Sequence, residues 1–224
     1  MTSIASMQDR QARAAEHLRH AGVLPVITVH TLDEARAIAD ALLDGGLNTL
    51  ELTLRTPVAI DALAMLKRER PEIVIGAGTI RNADNIRASI DAGADFLVTP
   101  GTPAPLAQAL ADADIPVVPG AGTPTEFMAL YDLGFRNCKL FPANAVGGLA
   151  MLKGLAGPLH DMRFCPTGGI SESNAAEFLS QPNVLCIGGS WMLDKAWIAA
   201  GDWTRVRETA ARAAAIVREV RDAA

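Results

Sequence analysis

Eight short apolar runs recur along the 224-residue chain, each followed by a helix-like stretch, and this alternation restricts the fold more than any other feature. The runs are VLPVITV (23–29), TLELTL (49–54), IVIGAGT (73–79), DFLVTP (95–100), IPVVPGA (115–121), NCKLFP (137–142), RFCPTGG (163–169) and VLCIGGS (184–190). Between them lie segments such as DEARAIADALLDGG and PVAIDALAMLKRER, rich in Ala, Leu, Asp, Glu and Arg. Several open with Pro or an Asn, Ser or Asp cap and close at Gly, as helix termini prefer. Strands that are apolar on both faces and alternate with helices build parallel sheets covered on both sides. Eight such units predict an α/β fold, a closed (β/α)8 TIM barrel, with an open doubly wound sheet as the alternative. GAGT ends one run at 76–79 and another at 120–123, which is weak support for barrel repetition. No linker or low-complexity segment divides the chain, so one domain is expected over 1–224. Residues 1–21 are expected to form an extra N-terminal helix packed on the barrel.

Composition narrows the partners. With 20 Lys and Arg against 25 Asp and Glu the net charge is −5, so the basic footprint of a nucleic-acid binder is missing. No apolar run approaches the ~18 residues of a membrane span. The N-terminus lacks an apolar signal core and carries Asp9 and Glu16, which argues against a targeting peptide. Cys138, Cys165 and Cys186 are widely spaced, each inside an apolar run. That pattern reads as small buried hydrophobes in a reducing, cytoplasmic setting rather than as a disulfide framework or zinc site. The four histidines, His17, His20, His30 and His160, have no metal-ligand spacing, and no metal is expected.

The polar residues that interrupt the runs carry the functional signal. Glu51, Thr53 and Arg55 alternate with Leu50, Leu52 and Leu54, so on an extended strand the polar three share a face. Lys139 and Phe141 share a face in NCKLFP, Thr79 ends the third run, Thr167 precedes Gly168 and Gly169, and Ser190 follows Gly188 and Gly189. Nearly all fall at or near the C-terminal ends of their runs, where barrel enzymes carry active sites. Inward Glu, Arg and Lys are tolerable only if they neutralise one another or bind something charged. A purely structural ion network, with Glu51 flanked by Arg55 and Lys139, is the plain alternative. A free lysine, pKa about 10.4, is neutral in only about one molecule in 2,500 at pH 7. Desolvation and a nearby cation such as Arg55 favour the neutral amine, while a carboxylate opposes them. A lysine so treated can add to a ketone, and the resulting imine is an electron sink for carbon–carbon cleavage. The glycine pairs on the last two runs are similar to the backbone phosphate cup of such barrels.

Together LELTLRTP (50–57), GAGT (76–79), VTPG (98–101), KLFPA (139–143), RFCPTGGI (163–170) and CIGGSW (186–191), in this order and spacing, resemble the 2-keto-3-deoxy-6-phosphogluconate aldolases. These are class I aldolases, many of which also act on 4-hydroxy-2-oxoglutarate. The resemblance runs over nearly the whole chain. It implies that Lys139 is the Schiff-base lysine and Glu51 the general acid/base, and that Arg55 and Thr79 hold the carboxylate of the pyruvate half. It further implies that Phe141 packs beside the lysine, that Pro100 and Thr167 line the pocket, and that Gly168, Gly169, Gly189 and Ser190 bind phosphate. By the same resemblance the protein is a homotrimer acting on small 2-keto acids without metal or organic cofactor. Asn144, in FPANAVGG (141–148), stands where a member of the family carries Glu, a departure bearing on fine specificity. Competing readings are the aldolase for the 6-phosphogalactonate epimer, a phosphosugar isomerase or epimerase, and a non-catalytic sugar-phosphate sensor. The sensor would keep the glycine pairs and Ser190 but have no use for Lys139 with Glu51.

Overall fold

A computed structural model describes residues 5–223. Every one of the eight apolar runs contributes a strand: β1 (Val23–Ile27), β2 (Thr49–Thr53), β3 (Val74–Gly78), β4 (Phe96–Val98), β5 (Val117–Val118) with β6 (Gly120–Ala121), β7 (Asn137–Leu140), β8 (Arg163–Pro166) and β9 (Ile187–Gly189). All pairings are parallel, in the orders β5-β4-β3-β2-β1-β9 and β6-β7-β8. Two contacts close the ring. Bridges Phe164↔Val184 and Thr167↔Gly188 join β8 to the β9 run, while β5 and β6 are one run divided at Pro119. Pro119 has no N–H to give its neighbour, but its carbonyl accepts from the backbone of Lys139 at 2.9 Å.

Helices cover the outside: α2 (Leu32–Asp44), α3 (Ala59–Glu69), α4 (Ala83–Asp91), α5 (Ala104–Asp112), α6 (Pro124–Asp132), α7 (Gly148–Leu155) and α8 (Ala175–Leu179). The expected Asn cap forms at Asn82, and Thr31 and Thr123 cap in the same way, each accepting a backbone N–H in the first turn of its helix. Leu50 and Leu52 point into the layer between strands and helices, as the alternation in TLELTL requires. The run pattern does not predict the last two helices, α9 (Lys195–Ala200) and α10 (Trp203–Asp222). Here α10 packs on α2 closely enough that a Cβ on Gly45 would sit 2.5 Å from that of Ala210.

Inside the barrel is a second, separate core. The N-terminal helix α1 (Met7–Ala21) opens with a Ser6–Asp9 capping box and lays Ala14, Leu18 and Ala21 against Leu24, Phe96, Val98, Val118, Cys165 and Cys186. Each large side chain so buried contributes about 1.5–3 kcal/mol. Gln11 ties the plug to the staves. It donates to the Val117 carbonyl and accepts from the backbone of Asn137, at 3.0 and 2.9 Å. The helix expected over 1–21 is thus present from Met7, and residues 1–4 lie outside the described residues. With one end filled in this way, polar chemistry is left to the other. No helix among the described residues is long and apolar enough to cross a membrane.

Candidate active site

β2 and β7 are not neighbours in the ring, yet Glu51 and Lys139 meet across its interior. Lys139 Nζ lies 2.9 Å from both carboxylate oxygens of Glu51, and the two residues are only 4% and 1% exposed. Burying either charge alone would carry a heavy desolvation penalty; a bidentate pair removes most of it. Room for the carboxylate comes from Gly78 on the adjacent strand, where a Cβ would stand 2.4 Å from Glu51 Oε1. Phe141 follows on the same face, its ring centroid 5.5 Å from the lysine nitrogen.

Arg55 does not join them inside. β2 ends at Thr53, and the chain then turns, the N–H of Arg55 donating to the Thr53 carbonyl at 2.8 Å. The two-residue alternation therefore stops before it reaches Arg55, whose side chain is exposed at the rim. It makes no ion pair among the described residues and donates from Nε to Thr79 Oγ1 at 3.2 Å. The charge in contact with Lys139 is the Glu51 carboxylate, not the Arg55 cation. Two inward charges and one rim guanidinium replace the three inward charges that alternation alone suggests.

Thr79 has φ +62°, the only non-glycine residue at positive φ among the described residues. A β-branched residue there is strained, and such strain persists where surrounding structure demands it, often at functional sites. What it achieves is visible: the hydroxyl is presented to Arg55.

A cavity of about 210 Å³ opens above the ion pair. Arg55, Lys139 and Phe141 form part of its wall, and Thr167, Gly168, Gly169, Gly189 and Ser190 form another. It shares Val26, Arg55 and Ser190 with a wider opening of about 660 Å³ that also reaches Thr28, His30 and Lys195. Eight of the expected site residues therefore border one space, with Glu51 beneath it and Thr79 joined to it through Arg55. Pro100 does not border the cavity. Its carbonyl lies against Gly120, the register partner of Lys139, so it backs the site rather than lining it. Val26, Ile170 and Gly188 line it too, and of these Val26 and Ile170 were not singled out from the sequence. Gly188 carried a signal, as the first glycine of its pair: a Cβ there would stand 2.2 Å from Thr167 Oγ1.

The three thiols are free and buried. Burial pushes Cys138 and Cys186 up, so both stay protonated, and Cys186 lies 3.2 Å from Cys165 in the inner core. Among the described residues no group of three or more His, Cys, Asp or Glu is arranged to hold a metal ion.

Against known proteins, residues 14–209 match the family described as "Aldolase: KDPG and KHG aldolase". The 2-dehydro-3-deoxy-phosphogluconate aldolase of Pseudomonas aeruginosa is 45% identical over 201 residues, covering 90% of this chain and 91% of that protein. The KDPG aldolase of Legionella pneumophila, with pyruvate captured at low pH as a covalent carbinolamine intermediate, superposes with a TM-score of 0.86 at 39% identity. That match covers 88% of this chain and 96% of the Legionella chain. The 2-keto-3-deoxy-6-phosphogluconate aldolase of Zymomonas mobilis ZM4, with 3-phosphoglycerate, superposes with a TM-score of 0.85 at 38% identity, covering 94% and 97%. The chain, a TIM barrel in fold and an aldolase in its relationships, belongs to the KDPG and KHG aldolase family.

Proposed function

We propose that this protein cleaves 2-keto-3-deoxy-6-phosphogluconate to pyruvate and glyceraldehyde 3-phosphate through a Schiff base on Lys139, and that 4-hydroxy-2-oxoglutarate is a second substrate. The observation that carries this reading is the buried bidentate contact of Lys139 with Glu51 beneath a cavity open at the strands' C-terminal end. A lysine must lose protons to attack a ketone, and Glu51 is the acceptor in contact with it.

Arg55 and Thr79 anchor the substrate carboxylate at the rim, which sets C2 over Lys139. The ammonium passes a proton to Glu51, and the free amine adds to C2 to give a carbinolamine. Glu51 returns the proton to the carbinolamine oxygen, water leaves, and the protonated imine remains with Glu51 again a carboxylate. That carboxylate takes the proton of the C4 hydroxyl. The C3–C4 bond breaks, its electron pair moves towards the imine, and glyceraldehyde 3-phosphate departs. Glu51 gives that proton to C3 of the enamine, and water hydrolyses the resulting protonated imine, releasing pyruvate and restoring the Lys139 ammonium beside the Glu51 carboxylate.

The glycine pairs with Ser190 take the phosphate at the far wall; the 3-phosphoglycerate held by the Zymomonas relative supports that end of the reading. The chain acts as one domain over 1–224 and as a homotrimer, as the family resemblance implies, and its three free thiols suit a reducing cytoplasm. Analytical ultracentrifugation tests the trimer against the 23.5 kDa chain mass.

The test of the chemistry is borohydride reduction in the presence of pyruvate, followed by peptide mass mapping. A stable adduct on Lys139, lost with cleavage activity in Lys139→Ala, is the expected result. Unmodified protein that still cleaves the substrate would remove the proposal.

A further inference from the structure

Resting on the reading of Gly168 and Gly169 as the phosphate end, we propose that Asn144 is a positioning residue for that turn, assisted by Asn174. Three successive carbonyls in this segment are all turned towards the loop that follows the lysine strand. The Thr167 carbonyl accepts from the backbone of Ala143 at 2.7 Å, and that of Gly168 from the backbone of Asn144 at 3.1 Å. The Gly169 carbonyl accepts from two side-chain amides, Asn144 Nδ2 at 2.7 Å and Asn174 Nδ2 at 3.1 Å.

In a trans peptide the N–H points opposite to the carbonyl of the same unit. Fixing the carbonyls of Gly168 and Gly169 on the Asn144 side therefore turns the N–H groups of Gly169 and Ile170 the other way. Neither N–H finds an acceptor among the described residues, and both residues line the cavity. An anion is the chemical complement of two such donors. The turn itself depends on glycine, with φ +103° at Gly168 and +80° at Gly169. A Cβ on Gly169 would meet Asn144 Nδ2 at 2.3 Å, so the turn is seated directly on the asparagine amide. Asn144 sits five residues beyond Lys139, so the loop leaving the lysine strand is also the one that seats the phosphate-end turn.

The probe is glycerol 3-phosphate, titrated calorimetrically into wild type, Asn144→Ala, Asn144→Asp and Asn174→Ala. Losing one of two amide donors to the Gly169 carbonyl is expected to weaken binding about fivefold, and Asn144→Asp, which turns a donor into an acceptor against that carbonyl, by more. In turnover, KM for 2-keto-3-deoxy-6-phosphogluconate should rise several-fold more than KM for 4-hydroxy-2-oxoglutarate. Wild-type affinity for glycerol 3-phosphate in all three variants, or equal losses on the two substrates, would overturn the assignment. Should Asn144→Ala fold poorly, Asn174→Ala carries the same comparison from the other side of the turn. Borohydride trapping of pyruvate is measured in parallel, since its failure in wild type would sink the aldolase chemistry while the phosphate titration still decides the role of Asn144.

Discussion

Replacing Gly78 by alanine should disable the proposed catalytic pair, Lys139 and Glu51, without touching either of its members. The backbone at Gly78 is not at positive φ, so alanine is accommodated there and the added methyl is the whole perturbation. That methyl would lie 2.4 Å from Glu51 Oε1, 2.6 Å from Cγ and 2.8 Å from Cδ. Ordinary contact begins near 3.4 Å, so the carboxylate must retreat by about 1 Å. A group displaced that far cannot keep both 2.9 Å contacts with Lys139 within hydrogen-bonding range. Misplacing a reacting group by about 1 Å costs roughly 10²-fold in rate. Removing the acid/base outright, as in Glu51→Gln, costs about 10²–10⁴-fold, so Gly78→Ala should fall at the lower edge of that range in kcat. Stability should drop by less than the ~3–5 kcal/mol expected when one partner of a buried pair is deleted, because both charges remain. Stopped-flow cleavage gives kcat, borohydride trapping with pyruvate follows imine formation, which should slow with it because Glu51 moves the protons of that step, and thermal unfolding reports the fold. Glu51→Asp withdraws the carboxylate by one methylene, so Gly78→Ala with Glu51→Asp should lose less than the two separate losses combined. Wild-type kcat in folded Gly78→Ala, or strictly additive losses in the double variant, would refute the argument that Gly78 holds space for the carboxylate.

Two further outcomes follow from other parts of the molecule. Ser190→Ala should raise KM for the phosphorylated substrate about fivefold, the worth of one hydrogen bond, and affect 4-hydroxy-2-oxoglutarate less; equal effects on both would exclude a phosphate role for the hydroxyl. At the closed end, burial against the Phe96 ring holds His17 below its ordinary value of 6.5, outweighing the opposing pull of Asp95 and Glu16. The unfolded chain then binds the extra proton first, so this contribution is complete above about pH 6.5 and is lost as pH falls below it. Thermal midpoints should therefore climb between pH 5 and 7 by more in wild type than in His17→Gln, and parallel profiles would contradict it.

How much of this was legible in the sequence follows from what each residue does. Strands buried on both faces must be apolar along their whole length, and that is why all eight staves stood out as runs. A lysine in such a run is conspicuous because its charge is costly there, which made Lys139 and Glu51 findable. Arg55 was placed on the right surface but too deep, since alternation says nothing about where a strand stops. α10 escaped because a long alanine- and arginine-rich helix following the last strand breaks the repeating pattern that located the others. Val26 and Ile170 line the cavity by being apolar, and nothing in composition separates an apolar wall of a site from an apolar core.

Glycine roles are legible last, because the identity of what approaches a glycine is decided by the partner strand. The repeated GAGT makes the point. In the first copy, a Cβ on Gly76 would strike the Phe96 ring at 2.3 Å and one on Gly78 would strike the Glu51 carboxylate, so these glycines clear space for side chains inside the barrel. In the second, a Cβ on Gly120 would strike the backbone carbonyl of Thr99 at 2.2 Å, so that glycine permits close approach of two main chains at the seam where β5 gives way to β6. The two copies bury their alanines, Ala77 and Ala121, in the same outer core, while their glycines meet different partners. Both copies stand where a strand gives way to a helix, and of their glycines only Gly78 would meet the Glu51 carboxylate.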